Sequence, residues 1–295
     1  TGPNITFKNE FLSSIIIQTN HLKKNFKYEK NHSKKIESLT AILLTGLVFK
    51  EYFENFEFAK KELKKLIEEF FDKDGFSVNR NPNDVLKFLK YFIIIKQCTK
   101  DAHKYELDFL EEIIKKNLSC LKKITTPDNK IPLFNGGTEI DLSYFYEYLK
   151  NLNFKIKIIK NSVGGIEIVK NKKDTIYFDI GSPPSKGYST SYQSGPLSFE
   201  YYLDKIKIIT NCGYGNNISK KAVLLSRLTS AQSTLCLNDV SVVRFERNKL
   251  LNSAFGNSLK DSFKIFQKDH AIDTMFVGAS GFHDAYLNNF GYIHK

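Results

Sequence analysis

D-I-G-S-P-P at Asp179–Pro184, L-S-F-E-Y-Y-L at Leu197–Leu203, I-I-T-N-C-G-Y-G at Ile208–Gly215 and R-L-T-S-A-Q-S-T-L at Arg227–Leu235 follow one another in the second half of this chain. Within these runs apolar and polar residues alternate, and Gly, Pro and Asn bound them. That is the period of half-buried β-strands joined by turns. Pro183 and Pro184 cannot donate to a ladder, so they fix an extended loop and end any pairing. Asn211–Gly215 ends a strand in a glycine turn. Its glycines need only backbone freedom to be explained. No helix start with G-K-[ST] follows, so it is not a phosphate loop.

Working outward, the same period predicts strands at Phe154–Ile159, Gly165–Lys170 and Thr175–Ile180, with turns at Asn161–Gly165 and Asn171–Asp174. Further strands are expected at Leu197–Leu203, Lys205–Asn211, Ser233–Leu237 and Ser262–Phe266. Upstream the period changes to that of helices. Ile36–Tyr52, Phe56–Phe71, Asn83–Gln97 and Asp101–Leu121 each carry apolar residues at helical spacing, and a short helix is expected at Asp141–Leu152. Asp72-Lys73-Asp74-Gly75 stops the second of these helices. Helices followed by strands describe two packed units rather than an alternating α/β sheet. The expected division lies near Asn153.

The 295 residues are 41% hydrophobic, enough for a sizeable core in one or two domains. No apolar run approaches the roughly 18 residues of a membrane span. The net charge is +12, and Arg80, Arg227, Arg244 and Arg247 are the only arginines, so lysine supplies most of the positive charge. A polyanion such as an acidic polysaccharide or a nucleic acid is attracted by such a balance, although a composition rich in Lys and Asn produces it as well. The lysines are spread along the chain and no basic motif is interleaved with aromatics, so no nucleic-acid partner is expected. Cys98, Cys120, Cys212 and Cys236 form no C-x-x-C, so neither a zinc nor a thioredoxin-like motif is present, and the cysteines leave the redox compartment open. The chain begins Thr1-Gly2-Pro3 without a signal-peptide pattern.

Several segments together resemble a known family. They are N-H-L-K-K-N-F-K-Y-E-K-N-H at Asn20–His32, D-G-F-S-V-N-R-N-P at Asp74–Pro82 and L-F-N-G at Leu133–Gly136, with the opening stretch, in matching order. The chain is similar to the heparinase II/III-like polysaccharide lyases over nearly its whole length. The resemblance implies an α+β multidomain fold, with a partial (α/α) toroid over residues 1–152 and an antiparallel β-sandwich over 153–295. The family toroid has more helices and its sheet continues further, so the chain is expected to be a fragment of a longer protein. The family also implies an acidic polysaccharide partner such as a glycosaminoglycan or alginate, and a place in the periplasm or cell envelope.

Family members cleave acidic glycans by β-elimination. The uronate carboxylate must be neutralised, a base must take the proton on the neighbouring carbon, and an acid must protonate the leaving oxygen. The resemblance assigns the first role to an Asn near a helix start, which here is Asn31, with His32 beside it. An ordinary helix cap would occupy the same position. Arg80 stands in a loop that borders the cleft in the family, where a guanidinium grips a carboxylate or sulfate; a salt bridge within the loop is the other reading. The family tyrosine that follows this loop is absent from Asn81–Val85.

Two family histidines are replaced as well. Gln193 stands where a His precedes L-S-F-E, and Gln232 stands where a His precedes the S-T-L strand. Glutamine does not titrate near neutral pH and ligates zinc poorly. The family allows a zinc or calcium ion, but the ligand histidines are not evident here, so no cofactor and no metal ligand are expected. Tyr188 and Tyr192 precede the strand and could replace the missing base, or pack as loop aromatics. His283 and Tyr286 resemble a family element near the sandwich, either contacting the glycan or holding a turn. The catalytic candidates are therefore Asn31, His32, Tyr188, Tyr192 and Gln193. Arg80, Gln232, His283 and Tyr286 are the substrate-binding candidates. A glycan-binding homologue with impaired catalysis is the competing expectation.

Overall fold

The computed structural model describes residues 5–102, 106–158, 163–246, 248, 258–272 and 277–295. They fall into two compact units. One comprises Thr1–Phe71 with Leu86–Asn117, the other Asp72–Val85 with Leu118–Lys295.

The first unit is helical. It contains α1 (Ile5–Asn25), α2 (His32–Val48), α3 (Phe53–Phe70), most of α4 (Pro82–Gln97) and the first part of α5 (Asp108–Ile124). Ile36, Leu39, Ile42, Leu43 and Leu47 of α2 are buried at helical spacing, as are Phe56, Leu63, Ile67 and Phe70 of α3. Each such side chain contributes about 1.5–3 kcal/mol when removed from water. α2 and α3 touch at Gly46, where a β-carbon would stand 2.3 Å from the Phe56 nitrogen. Only glycine lets the two backbones approach so closely. Phe70 stacks on Phe88 at 4.6 Å, and Phe71 meets Phe88 edge-on at 5.5 Å. α1 was not evident as a separate element because its apolar residues do not keep to one face: Ile5, Phe7, Phe11 and Ile17 are exposed and only Thr19 is buried. The helix expected over Asp101–Leu121 starts later, at Asp108, behind a π-helical turn at Cys98–Ala102.

The second unit holds a four-stranded antiparallel sheet in sequence order: β1 (Ile166–Lys170), β2 (Asp174–Asp179), β3 (Phe199–Leu203) and β4 (Ile206–Ile209). Tight turns join β1 to β2 and β3 to β4, and their short loops dictate antiparallel neighbours. In the β2–β3 ladder Tyr177 pairs with Glu200 and Ile176 with Tyr201. One sheet face buries Tyr177 and Tyr202 against Phe134 and Ile166. A second antiparallel pair, β5 (Ile265–Ile272) and β6 (Val277–His283), borders another core of Tyr192, Val243, Leu259, Phe263 and Tyr286. The short helix α6 (Ser143–Asn151) buries Phe145 and Leu149.

Three expected strands differ, and the one expected over Ser262–Phe266 lies instead at Ile265–Ile272. Residues 154–158 form no strand; Ile159, Asn161 and Ser162 lie outside the described residues. Ser233–Leu237 is a loop with one bridge, Leu237 to Val240. The reason is local: the Ser233 side chain bonds the Phe199 carbonyl and receives the Phe199 N–H at 2.9 Å, so a hydroxyl takes the place of a ladder. No helix among the described residues is long and apolar enough to cross a membrane.

Candidate functional site

Gln193 and Gln232 meet in the second unit. Gln193 is 2% exposed. Its Oε1 accepts the Gly136 N–H at 3.0 Å, and its Nε2 donates to the carbonyls of Gly213 at 2.9 Å and Ser226 at 2.7 Å. One amide orientation satisfies all three bonds, which assigns the oxygen and nitrogen ends. Gln232 arrives from the other side and donates to the same Ser226 carbonyl at 2.8 Å. The Cys212 sulfur lies between the two amides, 3.9 Å from Gln193 Nε2 and 3.7 Å from Gln232 Nε2. Cys212 is an exposed residue, yet burial around its sulfur pushes the thiol up, with the Gln232 amide drawing it partly back.

This cluster does not suit a metal ion. An amide nitrogen has no lone pair to offer, and both amide nitrogens are turned toward a carbonyl. The Gln193 oxygen is taken by a backbone N–H. Among the described residues no three His, Cys, Asp or Glu side chains are grouped to hold an ion.

Arg80 is built into the same unit. Its Nε donates to Gly164 O at 2.6 Å, its Nη1 to Gly181 O at 2.9 Å and Ser182 O at 3.3 Å, and its Nη2 to Asp179 Oδ1 at 2.5 Å. The residue is 6% exposed. The close approach requires glycine at 181, where a β-carbon would stand 2.2 Å from Nη2. This geometry differs from that expected of a sulfate- or carboxylate-gripping arginine: four of its hydrogen bonds go to protein oxygens, so the fork ties together segments distant in sequence. A cavity of ≈ 580 Å³ opens beside it, lined also by Lys123, Asp72, Glu167 and Ser182.

Tyr192, offered as a base, is fully buried, and its hydroxyl has no hydrogen-bond partner among the described residues. Burial drives its pKa far up, the Asp179 carboxylate adds to this and Arg80 opposes it. A phenol held neutral in the core does not meet a sugar. Its carbonyl accepts from the buried Arg227 at 2.8 Å. Tyr188 ends a 3-10 turn (Lys186–Tyr188) and is half-buried.

His283 and Tyr286 are both buried. The Ala285 N–H donates to His283 Nδ1 at 3.3 Å, which leaves the proton on Nε2, and Nε2 lies 2.8 Å from His294 Nδ1. Burial lowers the His283 pKa to about 4, with His294 adding to the effect. The Tyr286 hydroxyl donates to Leu235 O at 2.9 Å. These two residues hold a turn, while Gln232 and His294 line a separate cavity of ≈ 450 Å³ with Leu197, Phe199, Ile209 and Thr234.

Asn31 and His32 belong to the first unit. Asn31 is exposed and caps α2, its side chain accepting the Lys34 N–H at 3.2 Å. His32 stacks on Phe70 at 4.9 Å, with Nε2 3.4 Å from Glu69. The remaining candidates lie in the second unit. Sequence reasoning passed over Asp179, Asn135 and Ser226. The acid of D-I-G was legible as an unusual charge beside a strand end, but Ser226 acts through its carbonyl and leaves no trace in the sequence.

Two family models match the chain: Heparinase II/III N-terminus over residues 4–155, and Heparinase II/III-like, C-terminal over residues 159–295. The chain belongs to the heparinase II/III-like family. No curated protein matches it. Among solved structures it is similar to heparan sulfate lyase HepC from Pedobacter heparinus, with a TM-score of 0.69 and 14% identity over 97% of this chain and 47% of that one. A heparinase III matches with a TM-score of 0.68 and 13% identity over 96% and 50%. The heparinase III BT4657 gene product matches with a TM-score of 0.73 and 14% identity over 96% and 46%. The fold is thus the α+β fold of heparinase III, a partial helical toroid followed by an antiparallel β-sandwich. The chain spans about half the length of these solved structures.

Proposed function

We propose that the protein is a polysaccharide lyase that cleaves an acidic, uronate-containing glycan by β-elimination, in the periplasm or cell envelope. The observation that carries this reading is the family match over both parts of the chain, together with solved relatives named as heparan sulfate lyases. The net charge of +12 favours an anionic glycan. On this reading Asn31 meets the uronate carboxylate and His32 beside it moves the proton. Arg80, Gln193, His283 and Tyr286 shape the second unit from within, and Gln232 lines a cavity whose polar groups suit sugar hydroxyls.

A second reading is a glycan-binding homologue with impaired catalysis. It is favoured by Gln193 and Gln232, neither of which can carry a proton in place of an imidazole. One experiment separates the two. Full-length protein is incubated with a panel of uronate glycans, and ultraviolet absorbance of the unsaturated product is followed alongside binding. Product formation on any glycan supports the lyase. Binding without product on every glycan establishes the binder.

A further inference from the structure

Among the non-glycine residues of the second unit with left-handed backbones, three are hydrogen-bonded to one residue. Arg80 (φ 62°), Asn135 (φ 50°) and Leu197 (φ 58°) are far apart in sequence. Arg80 Nη2 donates to Asp179 Oδ1 at 2.5 Å, and Asn135 Nδ2 donates to Oδ2 at 3.1 Å. The Leu197 N–H donates to the Asp179 carbonyl at 2.9 Å. Asp179 is 1% exposed, and its Oδ1 also accepts the Gly181 N–H at 3.0 Å. A residue with a β-carbon resists this conformation, Asn least and Leu and Arg more. It stays there only when its surroundings over-determine it.

Two of these residues flank the glutamine pair. Asn135 precedes Gly136, whose N–H holds the Gln193 oxygen at 3.0 Å. Leu197 follows the turn in which Gly195 N–H bonds the Gln193 carbonyl at 2.8 Å and Ser198 N–H bonds the Gly195 carbonyl at 3.1 Å. The Asp179 N–H then bonds Ser198 O at 2.8 Å, so the turn is fastened to β2 at both ends of one residue.

We propose that Asp179 is a positioning residue: its carboxylate holds Asn135 left-handed next to Gly136, its main-chain carbonyl holds the Leu197 turn, and together these set the Gln193 amide against Ser226 and Cys212. The acid has no direct part in chemistry. Its carboxylate is suited to the task because three N–H donors converge on two oxygens, which a neutral amide cannot all accept. The inference rests on the lyase reading only for turnover; the placement of Gln193 is read without any glycan.

The test is iodoacetamide alkylation of Cys212, resolved from the other cysteines by peptide mapping, on the full-length protein. Asp179→Asn takes an acceptor from one of the three donors. It is expected to speed Cys212 alkylation severalfold while Cys236 and the circular dichroism stay as they were. Asn135→Ala and Asn135→Gly lose the same side-chain bond, but only glycine is at ease at positive φ. Asn135→Ala is therefore expected to speed alkylation and Asn135→Gly to change it little. The double variant Asp179→Asn/Asn135→Gly should recover part of the loss, which a merely structural loss of charge pairing would not. A folded Asp179→Asn with unchanged Cys212 reactivity overturns the proposal, as does Asn135→Gly behaving like Asn135→Ala. If Asp179→Asn does not fold, the Asn135 pair decides alone. Where a glycan is turned over, Asp179→Asn should lower kcat more than it raises KM. If no glycan is turned over, the lyase reading fails while the alkylation result stands.

Discussion

Gln193 and Gln232 donate to one acceptor, the main-chain carbonyl of Ser226, at 2.7 and 2.8 Å. They come from positions 39 residues apart (232 − 193) and straddle the Cys212 sulfur. Together they form a hydrogen-bonded staple between loops.

The staple predicts unequal effects. Gln193→Ala leaves the Gly136 N–H without its partner and the Gly213 carbonyl with only the weak Cys212 thiol donor at 3.1 Å, and an unsatisfied buried group costs about 1–3 kcal/mol. Gln232 is half-buried, and Ser226 keeps its bond to Gln193 when Gln232 is removed, so Gln232→Ala should cost about 1 kcal/mol. The double variant should be non-additive because the acceptor is shared. Urea denaturation measures all three, and equal losses from the single variants would contradict the staple.

Arg80 should matter more to stability than to affinity. Arg80→Ala leaves the buried Asp179 carboxylate without its charge partner, a loss on the order of 3–5 kcal/mol. Arg80→Lys keeps the charge but not the fork that reaches Gly164 and Gly181, and should recover only part of it. Gly181→Ala should act similarly by displacing the guanidinium. The readout is denaturation without glycan. Full stability of Arg80→Ala, with glycan binding lost, would return Arg80 to substrate recognition.

Stability should fall on mild acidification. His283 has a folded pKa of about 4, below the ordinary 6.5, because burial disfavours the imidazolium. The unfolded chain then binds more protons between those values, so this contribution is complete above the ordinary pKa and is lost as pH drops toward the folded one. The neighbouring His294 is lowered in the same direction by burial. A proton on the pair also breaks a bond: it falls either on the atom that accepts from Ala285 or on the one that links the rings. His283→Asn should flatten the slope of stability over this range, a change on the order of 3 kcal/mol. An unaltered slope would exclude the pair as its source.

Asn31 offers a clean separation of two roles. Asn31→Ala should cost about 1 kcal/mol through the lost cap. Asn31→Ser keeps a capping oxygen and should keep the melting temperature. If turnover on a cleavable glycan disappears in Asn31→Ser while binding remains, the amide acts in the reaction. Retained turnover in that variant removes Asn31 from the chemistry.

Much of the fold was legible because helices and strands write their period locally. The α2 and α3 stripes and the β1–β3 alternation reappear within a few residues of their expected ends. Ser233–Leu237 was misleading because alternation records which side chains are apolar, not whether a neighbour is present to pair with. The Ser233 hydroxyl had already taken the Phe199 groups that a ladder would use. Tyr192 looked available because it lies in a loop, yet Val243, Leu259 and Tyr286 close over it from distant parts of the chain.

The order of elements, helices before strands, was determined by the sequence alone, since period is a property of neighbouring residues. The tertiary structure decided what those residues do. Arg80 and Asp179 are 99 positions apart and form one buried ion pair. The two glutamines share a carbonyl that has no side-chain signature. Contacts of that separation depend on how the loops close, and a run of residue types carries no record of it.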